Sequence, residues 1–271
     1  MLDNPRAPRV KQVAKLSQRG ARLETGLFLL EGPQAVAEAL TYRPQLIVEL
    51  FATPTALERY SDIAAAAVDA GVDVEFATEE VIDAMGDTVT PQGFIAVCNQ
   101  FPTALKEILS EGRDGGAVKL VAILEEVRDP GNLGTIIRVA DSAGADAVII
   151  TGRSVDLYNP KVVRSTTGSL FHIPVTVGVE LADALAAARA AGLQILAADV
   201  KGFDLPEAAA AGVLAKPTAW LFGNEARGLE DEHLEMADSA VRVPIYGEAE
   251  SMNLATAASV LLYQSAFSHR S

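Results

Sequence analysis

The chain has a single cysteine, Cys98, in 271 residues, so no intrachain disulfide can form and a disulfide-stapled fold is excluded. Cys98 follows the apolar run Phe94-Ile95-Ala96-Val97 and reads as a small buried hydrophobe in a reducing compartment rather than as a nucleophile. Only three histidines occur, His172, His233 and His269. None has a cysteine or second histidine at ligand spacing, which leaves no standard zinc site, and no metal is expected. Aromatic residues amount to 6%, and no stretch approaches the ~18–20 unbroken apolar residues of a membrane helix. The opening Met-Leu-Asp-Asn-Pro-Arg lacks an apolar segment of secretory length, so a cytoplasmic protein without membrane contact is expected.

Positive charge is scarce too: 22 Lys and Arg face 36 Asp and Glu, a net charge of −14. That balance argues against a chain wrapped uniformly around nucleic acid and leaves room for a local basic surface. One dense basic stretch exists, Arg6, Arg9, Lys11, Lys15, Arg19 and Arg22, with Asp3 the only acid among the first 23 residues. It reads either as a solvated helix offsetting an acidic body or as a phosphate-contacting arm.

What is present is the material of packed domains, 49% apolar and 21% charged residues. At roughly 100–200 residues per domain the length suits two domains. Strand patterns at Leu27–Leu30, Leu46–Phe51, Val72–Phe76 and Gly93–Cys98 alternate with helices after Pro33, over Thr55–Ala70 and over Glu79–Met85. A small α/β domain over 1–101 follows. Pro102, Gly112, Gly115 and Gly116 mark 102–117 as a linker interrupted by a brief helix at Leu105–Ser110. From 118 to 271 strands near 119–124, 147–151, 174–177, 193–198, 218–222 and 240–243 alternate with helices, which predicts a mostly parallel sheet covered on both faces.

Three polar segments of this second domain sit where strands end, the place where open parallel sheets bind ligands. The first, Asp129-Pro-Gly-Asn132-Leu-Gly134, leads into a helix that buries Leu133, Ile136, Ile137 and Ala140 and stops at Gly144. Asn132 falls near its N-cap, and at about 100° per residue Arg138 lies roughly opposite Ile136. A plain turn with a simple cap and a surface arginine accounts for this segment as well. The spacing is not Gly-x-Gly-x-x-Gly and no Walker lysine follows, so nicotinamide and P-loop readings are set aside. The second segment, Phe222-Gly-Asn-Glu225-Ala-Arg-Gly228, allows close backbone approach to a ligand or a plain strand-to-helix turn. In the third, Val243-Pro-Ile245 precedes Ser251-Met-Asn253, where Ser251 or Asn253 caps the apolar helix Leu254–Phe267.

In order and spacing, Asp129-Pro-Gly-Asn132-x-Gly-x-x-x-Arg138, Phe222-Gly-Asn-Glu225-x-x-Gly228, and Val243-Pro-Ile245 with Ser251-Met-Asn253 resemble the three motifs of the SpoU (TrmH) family. These are S-adenosylmethionine-dependent RNA ribose 2′-O-methyltransferases of the SPOUT class, and the resemblance spans about residues 119–268. Phe28-Leu-Leu-Glu-Gly-Pro33 and the helix after it resemble the RNA 2′-O-ribose methyltransferase substrate-binding domain, a ribosomal-protein-like α/β sandwich.

The resemblance implies an α/β fold with a deep C-terminal trefoil knot and a homodimer formed through the methyltransferase domain. It implies S-adenosylmethionine as methyl donor, held near Leu221, Phe222, Gly223, Asn224, Gly228, Val243, Ile245, Met252 and Asn253. Asn132, Arg138, Glu225, Ser251 and Asn253 match the family's catalytic motif residues. Arg138 is expected to bind the phosphate beside the target ribose and help activate its 2′-OH. The family proposal that this arginine is the base conflicts with a guanidinium pKa above ~12, and the proton's destination stays open. Asn132 and Glu225 would orient Arg138 or the nucleotide, while Ser251 and Asn253 hold the knot loop and substrate. Arg6, Arg9, Lys11, Lys15, Arg19 and Arg22 are the candidate RNA-binding arm. Ribosomal RNA is the favoured substrate. A tRNA methyltransferase of the same family, an inactive RNA-binding or ribosome-assembly protein, and a small-molecule nucleotide-binding protein are the alternatives.

Overall fold

Apolar runs alternating with glycine- and proline-bounded helices build two separate sheets in the computed structural model, which describes residues 1–270. The first sheet contains β1 (Leu27–Glu31), β2 (Ile47–Ala52), β3 (Val74–Phe76) and β4 (Phe94–Asn99) in the order β1-β4-β2-β3. β4 pairs antiparallel with β1 and β2, and β2 pairs parallel with β3. Its helices are α1 (Pro8–Ala14), α2 (Arg19–Thr25), α3 (Pro33–Tyr42), α4 (Pro54–Arg59), α5 (Ser61–Asp69) and α6 (Glu79–Met85). Val10, Val13 and Leu16 pack with Leu29, Phe51, Val81, Ile82, Met85 and Ile95 into one core. The single helix expected over Thr55–Ala70 is two. Tyr60 leaves helical geometry at φ −121°, ψ 60°, and sets its ring edge-on to Phe94.

Cys98 is buried in β4, and burial pushes its thiol up to about 12. The thiolate is the reactive form, so a raised value suppresses reaction at neutral and mildly alkaline pH. Titration with a disulfide reagent at pH 8 is expected to find no reactive thiol in the folded protein and one equivalent after unfolding. Rapid reaction in the folded state would contradict this placement.

The second sheet is wholly parallel, in the order β10-β8-β9-β5-β6-β7. Its strands are β5 (Leu120–Glu125), β6 (Ala147–Thr151), β7 (Val175–Val179), β8 (Gln194–Asp204), β9 (Thr218–Phe222) and β10 (Ser239–Arg242). β5, β6 and β9 are buried along their whole length, as strands covered on both faces must be. The helices are α7 (Leu105–Ile108), α8 (Pro130–Ala143), α10 (Leu181–Ala190), α11 (Leu205–Ala210), α12 (Asp231–Glu235) and α13 (Leu254–Ser268), whereas α9 (Pro160–Thr166) packs on β1 in the first unit. Val121, Ile123, Ala219 and Leu221 face the core shared with Leu181, Ala184, Leu185 and Ala188 of α10. Trp220 points to the other face, where its indole N–H donates to Ser265 Oγ of α13 at 2.9 Å. After β10, at the sheet edge, the chain returns to place α13 against α8, β5 and β9.

Two stretches differ from their sequence reading. Within 102–117, read as a linker, Ile108 and Leu109 are buried in the second core, and Arg113 N–H donates to Asp146 Oδ1 at 2.9 Å. Residues 156–172, read as part of a continuous C-terminal domain, belong to the first compact unit with residues 1–101. There the Tyr158 and Phe28 ring centroids lie 4.8 Å apart, and Phe171 stacks on Phe101 at 5.7 Å. The strand-helix alternation runs unbroken through this excursion, so the local pattern carries no sign of it.

Candidate active site

At the carboxyl edge of the parallel sheet, pairing of Leu124 with Phe222 sets the loop after β5 beside the loop after β9. α8 starts one turn into the first loop. Its N-cap is Asp129, whose Oδ1 accepts from Asn132 N–H at 2.8 Å, with Pro130 in the first turn. Asn132 stands in the first turn, near the N-cap as expected, and the Asp-Pro pair is the signal that locates the cap itself. Asn132 is thereby buried with its carboxamide free for other partners.

Those partners join all three segments. Glu225 Oε1 accepts from Asp129 N–H at 2.9 Å and Asn132 Nδ2 at 3.3 Å, and Glu225 Oε2 accepts from Arg128 N–H at 3.1 Å. A carboxylate can only accept, so Asn132 must turn its amide nitrogen toward Glu225 and its oxygen away. That oxygen accepts from Asn253 Nδ2 at 2.9 Å, and Asn253 Oδ1 in turn accepts from Thr256 N–H at 3.2 Å, capping α13. Of the two cap candidates, Asn253 is the one used. A single directional chain, Glu225 to Asn132 to Asn253, ties the β5, β9 and β10 loops together.

The β9 loop is closed on itself. Asn224 N–H donates to Gly228 O at 3.1 Å and Gly228 N–H returns to Asn224 O at 2.8 Å, with Gly228 at φ +70°. A Cβ on Gly223 would lie 2.5 Å from Gly228 C and 2.6 Å from Leu229 N, so backbone crosses backbone where no side chain fits. The Asn224 side chain is occupied in shaping this loop, donating to Glu126 O at 2.9 Å and accepting from Ala226 N–H at 3.0 Å. Glu126, which the sequence reading missed, holds a left-handed φ of +53° and pairs with Arg227 and Arg128. Burial opposes its ionisation, but the two guanidiniums outweigh burial and hold its carboxyl below the usual carboxylate range.

Arg138 is exposed on α8, and among the described residues its guanidinium has no hydrogen bond or ion pair. Helix geometry places it over Gly134 and Thr135, leaning toward the helix N-terminus. Ser251 is exposed and its hydroxyl stands outside the hydrogen-bond chain. Leu221 and Phe222 are buried, whereas Ile245 and Met252 are exposed on the irregular segment between β10 and α13. The bulge Ala198–Gly202, between the pairings Ala240–Ala197 and Val241–Phe203, lies toward the same edge and was also missed. A Lys-Gly pair at a strand end was its only signal.

Two of the basic arm's residues are committed elsewhere. Arg22 is 2% exposed; its Nε and Nη2 donate to Asp156 Oδ2 at 2.8 and 2.6 Å, and its Nη1 donates to the carbonyls of Leu16 and Ser17. It is a buried structural group and not an RNA contact. Arg9 pairs with Glu49 and Glu75 and lies over the Phe51 ring. Arg6, Lys11, Lys15 and Arg19 are exposed. Among the described residues no cluster of His, Cys, Asp and Glu could hold a metal, and no helix is long and apolar enough to cross a membrane.

The SpoU rRNA Methylase family model matches residues 119–263, more than half of the chain. The chain belongs to the SpoU family. The SpoU substrate-binding model, described as RNA 2′-O ribose methyltransferase substrate binding, matches residues 29–104. A curated relative, the 23S rRNA (guanosine(2553)-2′-O)-methyltransferase RlmP of Bacillus subtilis, is 32% identical over 97% of both chains. The AdoMet-bound rRNA methyltransferase from Sinorhizobium meliloti superposes with a TM-score of 0.80 at 32% identity, covering 97% of this chain and 96% of that one. The SpoU methyltransferase AviRb from Streptomyces viridochromogenes in complex with AdoMet gives 0.80 at 28% identity, covering 98% and 99%. This SpoU protein is an S-adenosylmethionine-dependent RNA 2′-O-methyltransferase with a SPOUT-type α/β fold. The site fits the methyl donor: the segment between β10 and α13 offers main-chain groups outside regular structure.

Proposed function

We propose that the substrate is ribosomal RNA, methylated on one ribose 2′-OH, with residues 1–101 binding the RNA and 118–271 carrying the chemistry. The observation that supports this best is the hydrogen-bond chain Glu225–Asn132–Asn253, which links the three motif segments at the start of the helix that carries Arg138, a guanidinium with no partner among the described residues. S-adenosylmethionine supplies a methyl group on a sulfonium, held by Leu221, Phe222, Gly223, Asn224, Gly228, Val243, Ile245, Met252 and Asn253. A ribose hydroxyl is a weak nucleophile, so the protein must fix its direction of approach and stabilise the negative charge that develops on its oxygen. Arg138 takes the second task and grips the adjacent phosphate. Asn132 and Glu225 hold the start of α8 rigid beneath it, and Ser251 with Asn253 contacts the nucleotide.

Labelled methyl transfer to unmodified rRNA and tRNA, offered separately, tests the substrate class. Incorporation into rRNA alone is the expected result, and incorporation into tRNA alone would overturn it. The protein is further proposed to act in the cytoplasm, alongside its ribosomal substrate. The path from the edge strand β10 back to α13 suits the trefoil knot of the SPOUT class.

RNA affinity in so acidic a chain must come from a restricted surface, for which Arg6, Lys11, Lys15 and Arg19 are the available groups. Each phosphate contact adds about 0.7–0.9 to the slope of log affinity against log salt. Reversing Lys11, Lys15 and Arg19 to glutamate is expected to flatten that slope by about 2 and leave cofactor binding unchanged. An unaltered slope removes the arm from the account.

The protein is further proposed to act as a homodimer through α13. An apolar helix is normally buried all round, yet Val260 and Tyr263 are each 37% exposed and Phe267 is 60% exposed, at helical spacing on one face. Light scattering is expected to give a dimer for the wild type and a monomer for Tyr263→Asp/Phe267→Asp. A wild-type monomer, or a dimer that survives both charges, would contradict this interface.

A further inference from the structure

A recess of about 260 Å³ opens in the first unit between the β1–α3 turn and the loop entering β4. Its floor is a charge network built on the buried carboxylate of Glu31, with Arg164 and Asp87 partly exposed. Glu31 Oε1 accepts from Arg164 Nη1 at 2.9 Å, while Glu31 Oε2 accepts from the backbone N–H groups of Asp87 and Thr88 at 3.0 and 3.1 Å. Arg164 Nη2 also donates to Asp87 Oδ2 at 3.0 Å. A buried carboxylate with every donor in place makes the loop's shape specific rather than incidental.

The walls are of another character. Thr90 and Gln92 are exposed, Thr88 is half-buried, and among the described residues none of the three side chains makes a hydrogen bond. Gly32, at φ +91°, brings bare backbone to the opposite wall. Two carboxylates against one guanidinium leave the floor net negative, so a phosphate is a poor occupant. A carboxamide and two hydroxyls offer neutral donors and acceptors of the kind that pair with a base edge, and the apolar ring of Pro91 in the wall suits its face.

We propose that this recess receives one unstacked base of the RNA substrate, its edge read by Gln92, Thr88 and Thr90 and its face set against Pro91. The proposal rests on the reading of this chain as an RNA-modifying enzyme and adds a base-specific contact away from the methyl-transfer site. Single-stranded RNA presents such bases, whereas a helix hides them.

The test uses the full chain and ten-nucleotide homopolymers of A, C, G and U, with binding followed by fluorescence anisotropy. The wild type is expected to prefer one homopolymer, and Gln92→Ala and Thr90→Ala to weaken that preference by up to about ten-fold, the scale of a lost hydrogen bond. Both side chains are exposed, so the folded state survives either change, and S-adenosylmethionine binding is expected to be unaltered. Equal wild-type affinity for all four oligomers, or an unchanged preference in both variants, overturns the proposal. The assay needs no turnover, so failure of methyl transfer to rRNA counts against the enzyme reading and not against the recess.

Discussion

Arg138→Ala is expected to lower methyl transfer by about 10²–10³-fold, the usual loss when one preorganised donor to a developing oxyanion is removed. The guanidinium has no partner in the protein among the described residues, so its removal leaves no buried group unpaired and thermal stability is expected to stay at the wild-type value. S-adenosylmethionine binding is expected to persist, because the groups assigned to it lie on the β9 and β10 loops. Arg138→Lys is expected to recover little, since an ammonium lacks the planar pair of donors that can address a phosphate and a neighbouring oxygen together. Single-turnover transfer to saturating rRNA, cofactor binding by equilibrium dialysis and a thermal melt together check all four statements. A variant with more than half of the wild-type rate would remove Arg138 from the chemistry.

Arg22→Ala carries the largest stability effect expected. The side chain is 2% exposed and holds Asp156 through two nitrogens while its third nitrogen satisfies two carbonyls. Its loss strands a carboxylate and both carbonyls, and breaking a buried pair from one side costs about 3–5 kcal/mol. Urea unfolding is expected to show that loss in the transition of the first unit, with Arg22→Lys only partly restored because lysine cannot span all three acceptors. Arg19→Ala, on an exposed side chain of the same helix, is expected to change stability by under about 0.5 kcal/mol. An Arg22→Ala protein as stable as the wild type, with weakened RNA binding, would restore Arg22 to the RNA-contacting arm.

The contrast between Arg22 and Arg138 marks how far the sequence is legible. Strand positions and the parallel second sheet follow from continuous apolar runs such as Leu120–Leu124 and Ala219–Phe222, because burial on both faces leaves a strong local signal. The motif segments were legible through spacing alone, and the β5–β9 register explains why Asn132 and Glu225 meet. Burial of individual charges was not legible. Arg22 and Arg19 stand in the same basic stretch, and only a partner 134 residues away, Asp156, separates their roles. The excursion at 156–172 was hidden for the same reason: Arg164 finds Glu31 and Tyr158 finds Phe28 through tertiary contacts. Glu126 escaped notice because a left-handed backbone at glutamate has no sequence signature of the kind glycine provides.

The most direct test of the account is where the transferred methyl group resides. After transfer of labelled methyl from S-adenosylmethionine to unmodified ribosomal RNA, alkaline hydrolysis separates the possibilities, because cleavage of each phosphodiester requires the free neighbouring 2′-OH. The account predicts label in an alkali-resistant dinucleotide from one rRNA site, absent with Arg138→Ala. Label released in mononucleotides would place the methyl on a base and contradict ribose 2′-O-methylation by this site.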